Sequence, residues 1–187
     1  PEKNNISLAN QASVSYDRLS IDIGSTPDLR VKGAKEFAVG VKPIAKFQQC
    51  WNSILQQSTQ NGNESTPALG DWGVIGAGAG GVELVLAMAH RMQQQADLHF
   101  HLIYRGAAVL PGYPPKVVSI VEQRLRDYGV TLHPNFSVHE VTEQGLVSES
   151  GERLKLSKSI WCTGALGASW LASSGLASTE KNFIRVN

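Results

Sequence analysis

The 187-residue sequence is short of several features that would define its class at once. It holds only two cysteines, Cys50 and Cys162, which lie far apart, form no CxxC pattern and have no histidines at ligand spacing beside them. Neither a disulfide framework nor a metal site is expected. Lys and Arg number 17 against 16 for Asp and Glu, so no field of one sign is available to draw a nucleic acid or an anionic membrane. The longest apolar stretch, Val74 to Ala89, is too short to span a bilayer, contains Glu83 and is packed with glycine. The opening PEKNNISLANQ lacks the charged-then-apolar order of a signal peptide. There is no phosphate-loop lysine motif and no internal repeat. These absences lead to the expectation of a soluble, cytoplasmic globular protein with no nucleic-acid partner and no membrane segment.

What is present is a hydrophobic content of 42%, enough for a real core. The runs NISLA and SVSY, split by NQA, predict a hairpin, and RLSIDIGSTP predicts a buried strand that stops at a Gly/Pro loop. From Lys42 to Gln57, Ile44, Phe47, Trp51, Ile54 and Leu55 recur at helical spacing, with Pro43 suited to the first turn. The polar STQNGNESTPALG marks a boundary loop between two packing units. After it come a strand at Trp72 to Ile75, a helix at Val82 to Gln95, a strand at Leu98 to Tyr104 and a helix at Pro115 to Tyr128. That βαβα order implies an α/β fold with a parallel sheet. The segments SVHEVTE, GLVSES and RLKLS, punctuated at Gly145 and Gly151, predict a three-stranded antiparallel meander that leads into the strand KSIWCTG. In the tail, Leu166, Trp170 and Leu171 are at helical spacing before Gly175.

The stretch GVIGAGAGGVEL carries Gly76, Gly78 and Gly81 as GxGxxG between a predicted strand and a predicted helix. In such a turn the first glycine permits the bend, the second lets backbone approach a pyrophosphate, and the third allows the helix to pack close. The diphosphate would sit at the helix amino terminus, where unpaired NH groups and the dipole favour negative charge. The competing reading is a tight βα turn and nothing more. Glu83, expected in the first turn of that helix, is either a dipole-favoured acid or a ligand contact. At the end of the second strand, HLIYRG puts Tyr104 and Arg105 where an acid for the NAD ribose is usual. Arg105 therefore points toward the 2′-phosphate of NADP, against the plainer reading of a solvated charge.

Taken in order, YDRLSIDIGSTP, VKP, GVIGAGAGGVEL, the β-meander and SIWCTGALG resemble the FAD-dependent pyridine nucleotide-disulfide oxidoreductase superfamily, in its type II NADH dehydrogenase-like branch. More narrowly, DIGSTP with VKPI, LIYRG with VLPGY, and WCTGA followed by SWLASSGLA resemble the oxidoreductase fused to the amino terminus of selenide, water dikinase (selenophosphate synthetase). The likeness runs over essentially the whole chain.

The resemblance implies a Rossmann-like FAD/NAD(P)-binding three-layer α/β fold with an antiparallel β-meander, inserted in a partial FAD domain. Residues 67–157 would be the NAD(P)-binding domain, 1–66 part of the FAD domain, and 158–187 its return segment. Gly76, Gly78 and Gly81 match the nicotinamide-dinucleotide turn, and Glu83 the acid of GxGxxGxE, near the nicotinamide ribose in relatives. Gly24 and Ser25 match one interdomain crossover, with Asp22 and Ile23 in place of the commoner residues before them, and Thr163 and Gly164 match the return crossover. Either crossover could be a hinge or a ligand contact. No amino-terminal FAD glycine motif and no carboxy-terminal Gly-Asp segment are present, so the chain is expected to be part of a longer protein and alone neither to hold FAD nor to turn over. Cys50 and Cys162 occupy no redox-pair motif, and Cys162 is expected to be a small buried apolar residue.

The expected activity of the intact protein is hydride transfer from NAD(P)H to FAD and on to an acceptor, with a fused kinase domain as a possible partner. No side chain of the sequence is expected to serve as acid, base or nucleophile, because the chemistry belongs to the cofactors. A different class of function is a catalytically inactive Rossmann-like docking module with a vestigial nucleotide site.

Overall fold

The computed structural model describes residues 4–60, 69–95 and 97–186. The polar segment 61–68, within the expected boundary loop, lies outside the described residues. The chain divides into two compact units: Pro27–Gly164, and the described residues that precede and follow it. Among the described residues no helix is long and apolar enough to cross a membrane.

The smaller unit opens with the expected hairpin, in which β1 (Asn5–Ile6) pairs antiparallel with β2 (Val14–Ser15). The buried strand expected in RLSIDIGSTP is not there. Only Thr26 forms a bridge, to Leu166, and Leu19 and Ile23 are exposed. Alternating apolar residues favour a strand only when a partner ladder covers them, and here one bridge is the whole of it. In the tail the helical spacing yields a single 3-10 turn, Ser169–Ser173, which buries Leu171 and leaves Trp170 exposed.

The larger unit begins with a short helix α1 (Ala34–Phe37) and strand β3 (Ala38–Gly40), neither expected from the sequence, and continues with α2 (Ile44–Gln60). Then come β4 (Gly70–Ile75), α3 (Ala79–Met92), β5 (Leu98–Ile103), α4 (Pro115–Asp127) and β6 (Thr131–His133). The meander follows as expected, β7 (Val138–Thr142), β8 (Gly145–Ser148) and β9 (Arg153–Lys155), before β10 (Lys158–Trp161) returns to the main sheet. That sheet is five-stranded in the order β3-β10-β4-β5-β6, and every neighbouring pair is parallel. The expected parallel α/β sheet is therefore present.

Strand alternation sends side chains to two different cores. Trp72, Val74, Phe100, Leu102 and Ile160 face the helices, meeting Ile54 of α2, Val85 and Met88 of α3, and Leu125 of α4. Ile75, Ile103 and Trp161 face the meander, meeting Val141, Leu146 and Leu156. The result is three layers: helices, parallel sheet, meander. Fully burying each such Leu, Ile or Val contributes about 1.5–3 kcal/mol, which is what fastens the outer layers to the sheet. Gly73 sets how close the meander comes, because a Cβ there would meet Leu156 Cδ1 at 2.5 Å and Ile103 Cδ1 at 2.8 Å.

Candidate functional site

In β4, β5 and β10 the last residues are in register, Ile75 beside Ile103 and beside Trp161. The segments that leave these carboxyl ends border one cleft of about 490 Å³. Gly76, Ala77 and Gly78 follow β4; Tyr104, Arg105 and Gly106 follow β5; Cys162, Thr163 and Gly164 follow β10. Residues 136–138, after β6, close another side. The chain continues from β4 to β5 on one side, whereas β10, its other neighbour, is the last strand, so the cleft lies where the winding order reverses. Parallel α/β sheets place their ligands at this position.

The three glycines of the turn are glycines for three different reasons. Gly76 has φ +116°, a backbone conformation that other residues rarely adopt, and its amide donates to the Ile103 carbonyl at 2.8 Å. A Cβ on Gly81 would collide with the Gly76 carbonyl oxygen, so the close packing of α3 on the turn requires its absence. Gly78 is the N-cap of α3, a position that favours glycine without requiring it. Its φ is −71°, and a Cβ there would meet nothing within 4 Å. Among the described residues no side chain caps α3, which leaves the first-turn amides available to an acceptor.

The helix begins at Ala79, not at Val82 as the sequence suggests, because the glycine run itself supplies its first turn. Glu83 accordingly sits in the second turn, exposed and apart from the cleft-lining residues. The placement in the first turn is thus corrected.

Tyr104 to Gly106 are fastened to the end of β6 and the segment after it by three backbone hydrogen bonds. The Tyr104 amide donates to His133 O at 3.1 Å, the Phe136 amide to Tyr104 O at 2.9 Å, and the Asn135 amide to Gly106 O at 2.9 Å. Tyr104 is buried, and burial first, then the Glu122 charge, raises its phenol pKa. Arg105 is exposed on the rim, with no carboxylate paired to it among the described residues. The following loop turns back so that the Leu110 amide donates to Ala77 O at 2.8 Å, bringing Ala108 and Pro111 to the cleft. Sequence reasoning does not single out Gly106, Ala108, Pro111 or Ser137, since nothing in their types announces a site.

Gly164, with φ +68°, and Thr163 border the cleft with Cys162. Gly24, with φ +66°, and Ser25 belong to the smaller compact unit and are not among the lining residues. Both cysteines are free, and burial raises the pKa of each thiol, with Lys158 opposing the shift at Cys50. Cys162, expected to be buried, is only partly so and lines the cleft; partly buried thiols held protonated are poor nucleophiles.

A glycine turn at the carboxyl edge of a parallel sheet, covered by helices on one face and a meander on the other, defines a Rossmann-like α/β protein. The sequence pattern of pyridine nucleotide-disulphide oxidoreductases matches residues 2–187. The chain belongs to that family. An NADH dehydrogenase-like protein of Mycobacterium tuberculosis is 30% identical over 175 residues, covering 85% of this chain and 41% of the relative. Across the curated relatives it matches, the chain spans about two fifths of their length, 39% to 41%. A Plasmodium falciparum NDH2 structure in complex with NADH superposes with TM-score 0.72 at 18% identity, over 87% of this chain and 37% of that one. An engineered water-forming NADPH oxidase bound to NADPH superposes with TM-score 0.66 at 22% identity, over 91% and 35%. These structures share the fold.

Proposed function

We propose that the chain is the nicotinamide-binding part of a flavin-dependent NAD(P)H oxidoreductase. The observation that carries the reading is Gly78: it lines the cleft, its backbone is ordinary, and the room beside it is empty of protein. Gly76 and Gly81 are needed for the turn itself, whereas Gly78, at the N-cap of α3, leaves open room beside its backbone for a group that comes close to it. A dinucleotide diphosphate fits that requirement and the uncapped amides of α3. The cleft's volume is also in the range of cofactor sites.

On this reading the residues divide the work of binding. Gly76, Gly78 and Gly81 shape the diphosphate cradle, and Tyr104 to Gly106 receive the adenosine ribose. Arg105, a cation on the rim with no carboxylate paired to it among the described residues, supports the 2′-phosphate of NADP over the bare ribose of NAD. Thr163 and Gly164 border the opposite side of the same cleft. For Glu83, Gly24 and Ser25 the support is family likeness alone. When bound, the nicotinamide supplies a hydride and FAD takes it up, so no side chain of this chain needs to act as acid or base.

By family likeness, residues 67–157 of the intact protein would form the nicotinamide domain, with 1–66 and 158–187 flanking it in the FAD domain. The sheet that joins β3 and β10 to β4 supports counting β3, α2 and β10 with the nicotinamide side. The segment likeness to the oxidoreductase attached to selenide, water dikinase supports a finer placement: an oxidised selenium or sulfur species as acceptor, its reduced product passing to the kinase. Turnover of NADPH by the intact protein with such acceptors tests that placement. The broader reading is tested by thermal melting of the intact protein with NADPH and with NADH, since a ligand bound only by the folded state raises the melting point. A shift supports it, and none at millimolar nucleotide contradicts it in favour of a docking module.

A further inference from the structure

On the meander-facing side of the sheet, three side chains from three adjacent strands form a continuous hydrogen-bonded line. Asp71 Oδ1 of β4 lies 2.9 Å from His101 Nε2 of β5, and His101 Nδ1 lies 3.0 Å from His133 Nε2 of β6. His101 is largely buried, its side chain 13% exposed, while Asp71 remains 46% exposed. The same His133 offers its carbonyl to the Tyr104 amide, the first of the three bonds that fix the Tyr104–Gly106 segment.

Hydrogen-bond chemistry limits what this line can hold. An ionised Asp71 only accepts, so His101 Nε2 must carry a proton. With both rings neutral, His101 Nδ1 is a lone pair that accepts from His133 Nε2–H. One added proton can enter at His133 Nδ1 while the bridging proton passes from His133 Nε2 to His101 Nδ1. The positive charge then rests on His101, beside Asp71, and every contact survives. A second proton has no such place: it would set two N–H groups against each other across 3.0 Å, and the His101–His133 contact must open.

We infer that Asp71, His101 and His133 form a one-proton array that positions the Tyr104–Gly106 segment for nucleotide, and that a second proton releases it. This rests on the nucleotide reading above. His133 is the positioning residue, acting through its carbonyl on Tyr104. The charged and titratable surroundings agree. His133 is pushed below the ordinary imidazole range by burial first and by His101 second, with Glu152, just before β9, opposing. On the sheet side the other groups are Asp71 and His99, which are in register with each other across β4 and β5. A depressed His133 keeps the array intact at neutral pH and confines the second proton to acid.

The test is the affinity of the intact protein for NADH from about pH 7.5 to about pH 5, across the ordinary imidazole range. NADH is used because the 2′-phosphate of NADPH itself titrates near pH 6, as phosphate monoesters do, at about that value. The expected result is a loss of affinity of about tenfold or more at the acid end, equivalent to about 1.4 kcal/mol. His133→Gln, which can still donate to His101 but takes no proton, should show a flat profile relative to its own affinity at neutral pH. Equal pH profiles in wild type and His133→Gln overturn the inference and leave the nucleotide reading standing. No NADH or NADPH binding at any pH overturns both. Nitrogen-15 NMR of the imidazoles in the wild-type protein needs no variant: coupled uptake of the first proton by the two rings supports the array, and independent titration of each ring overturns it.

Discussion

The Gly76 carbonyl oxygen lies against the Cα of Gly81, so near that a methyl group on Gly81 would occupy its place. One turn of α3 is thereby pressed onto the bend that precedes it, and the cleft edge owes its form to two hydrogens. Gly81→Ala must push the helix away from the turn, at a cost of about 1–3 kcal/mol typical of overpacking. Gly76→Ala, at φ +116°, is expected to cost a similar amount, about 1–3 kcal/mol, through backbone strain. Urea denaturation of the two variants checks both values.

Gly73 should behave as a spacer between the layers. Its missing Cβ makes room for the Cδ1 ends of Leu156 and Ile103, both buried, so Gly73→Ala forces these two side chains to repack where sheet and meander meet. The expected loss is about 1–3 kcal/mol. A loss of hydrogen-exchange protection in β7 to β9 larger than that in α3 would locate it at the meander.

Arg105→Ala separates the two nucleotides. If the guanidinium pairs with a 2′-phosphate, removing it forfeits a charge-assisted contact of about 1.5–3 kcal/mol, or about 10- to 150-fold in affinity for NADPH. NADH affinity should be unchanged. Equal losses for both, or none for NADPH, would remove Arg105 from the specificity argument.

Stability should fall as the solution is acidified, with His133 contributing. Its folded-state pKa lies below the unfolded value, so the unfolded chain binds more protons and unfolding is favoured as pH drops below about 6.5. Melting temperatures from pH 7.5 down to 5.5 should decline in the wild type and decline less in His133→Gln. A separate loss sets in at lower pH as Glu140, held below the usual carboxylate range first by its hydrogen bond to Lys32, takes up a proton.

The two thiols give a prediction of slowness. Burial holds Cys50 and Cys162 above the ordinary thiol range, so alkylation of the folded protein at neutral pH should be slower than that of the unfolded chain. Rapid labelling of either in the native state would contradict their placement.

Parts of this molecule are legible in its sequence alone. The glycine turn, the strands and helices flanking it, and the meander can be read because each carries a strong local signal: helical period, alternation, or a glycine at a bend, such as Gly145 at φ +135° and Gly151 at φ +84°. What escapes depends on partners distant in sequence. Strand β3 is three residues long and is a strand because β10 lies alongside it, whereas RLSIDI has strand-like alternation and finds only the Thr26 bridge. Glu83 is misplaced by sequence reasoning because a run of glycine and alanine gives no cue to where a helix starts. The Asp71–His101–His133 line joins residues some thirty positions apart, and only the strand register brings them together. Histidines at 99, 101 and 133 are visible in the sequence, but which of them meet is decided by the sheet.

The measurement that bears most directly on the nucleotide site is binding of NADPH and NADH to the intact protein carrying Gly78→Val, beside the wild type. A Cβ at this position meets nothing within 4 Å, so the cost is confined to the weaker N-cap and the variant should melt within a few degrees of the wild type. If the glycine turn cradles a dinucleotide, the valine blocks the diphosphate and lowers affinity for both nucleotides by about a hundredfold, the equivalent of about 2.8 kcal/mol. A folded Gly78→Val protein that binds either nucleotide as tightly as the wild type would contradict that role for the turn.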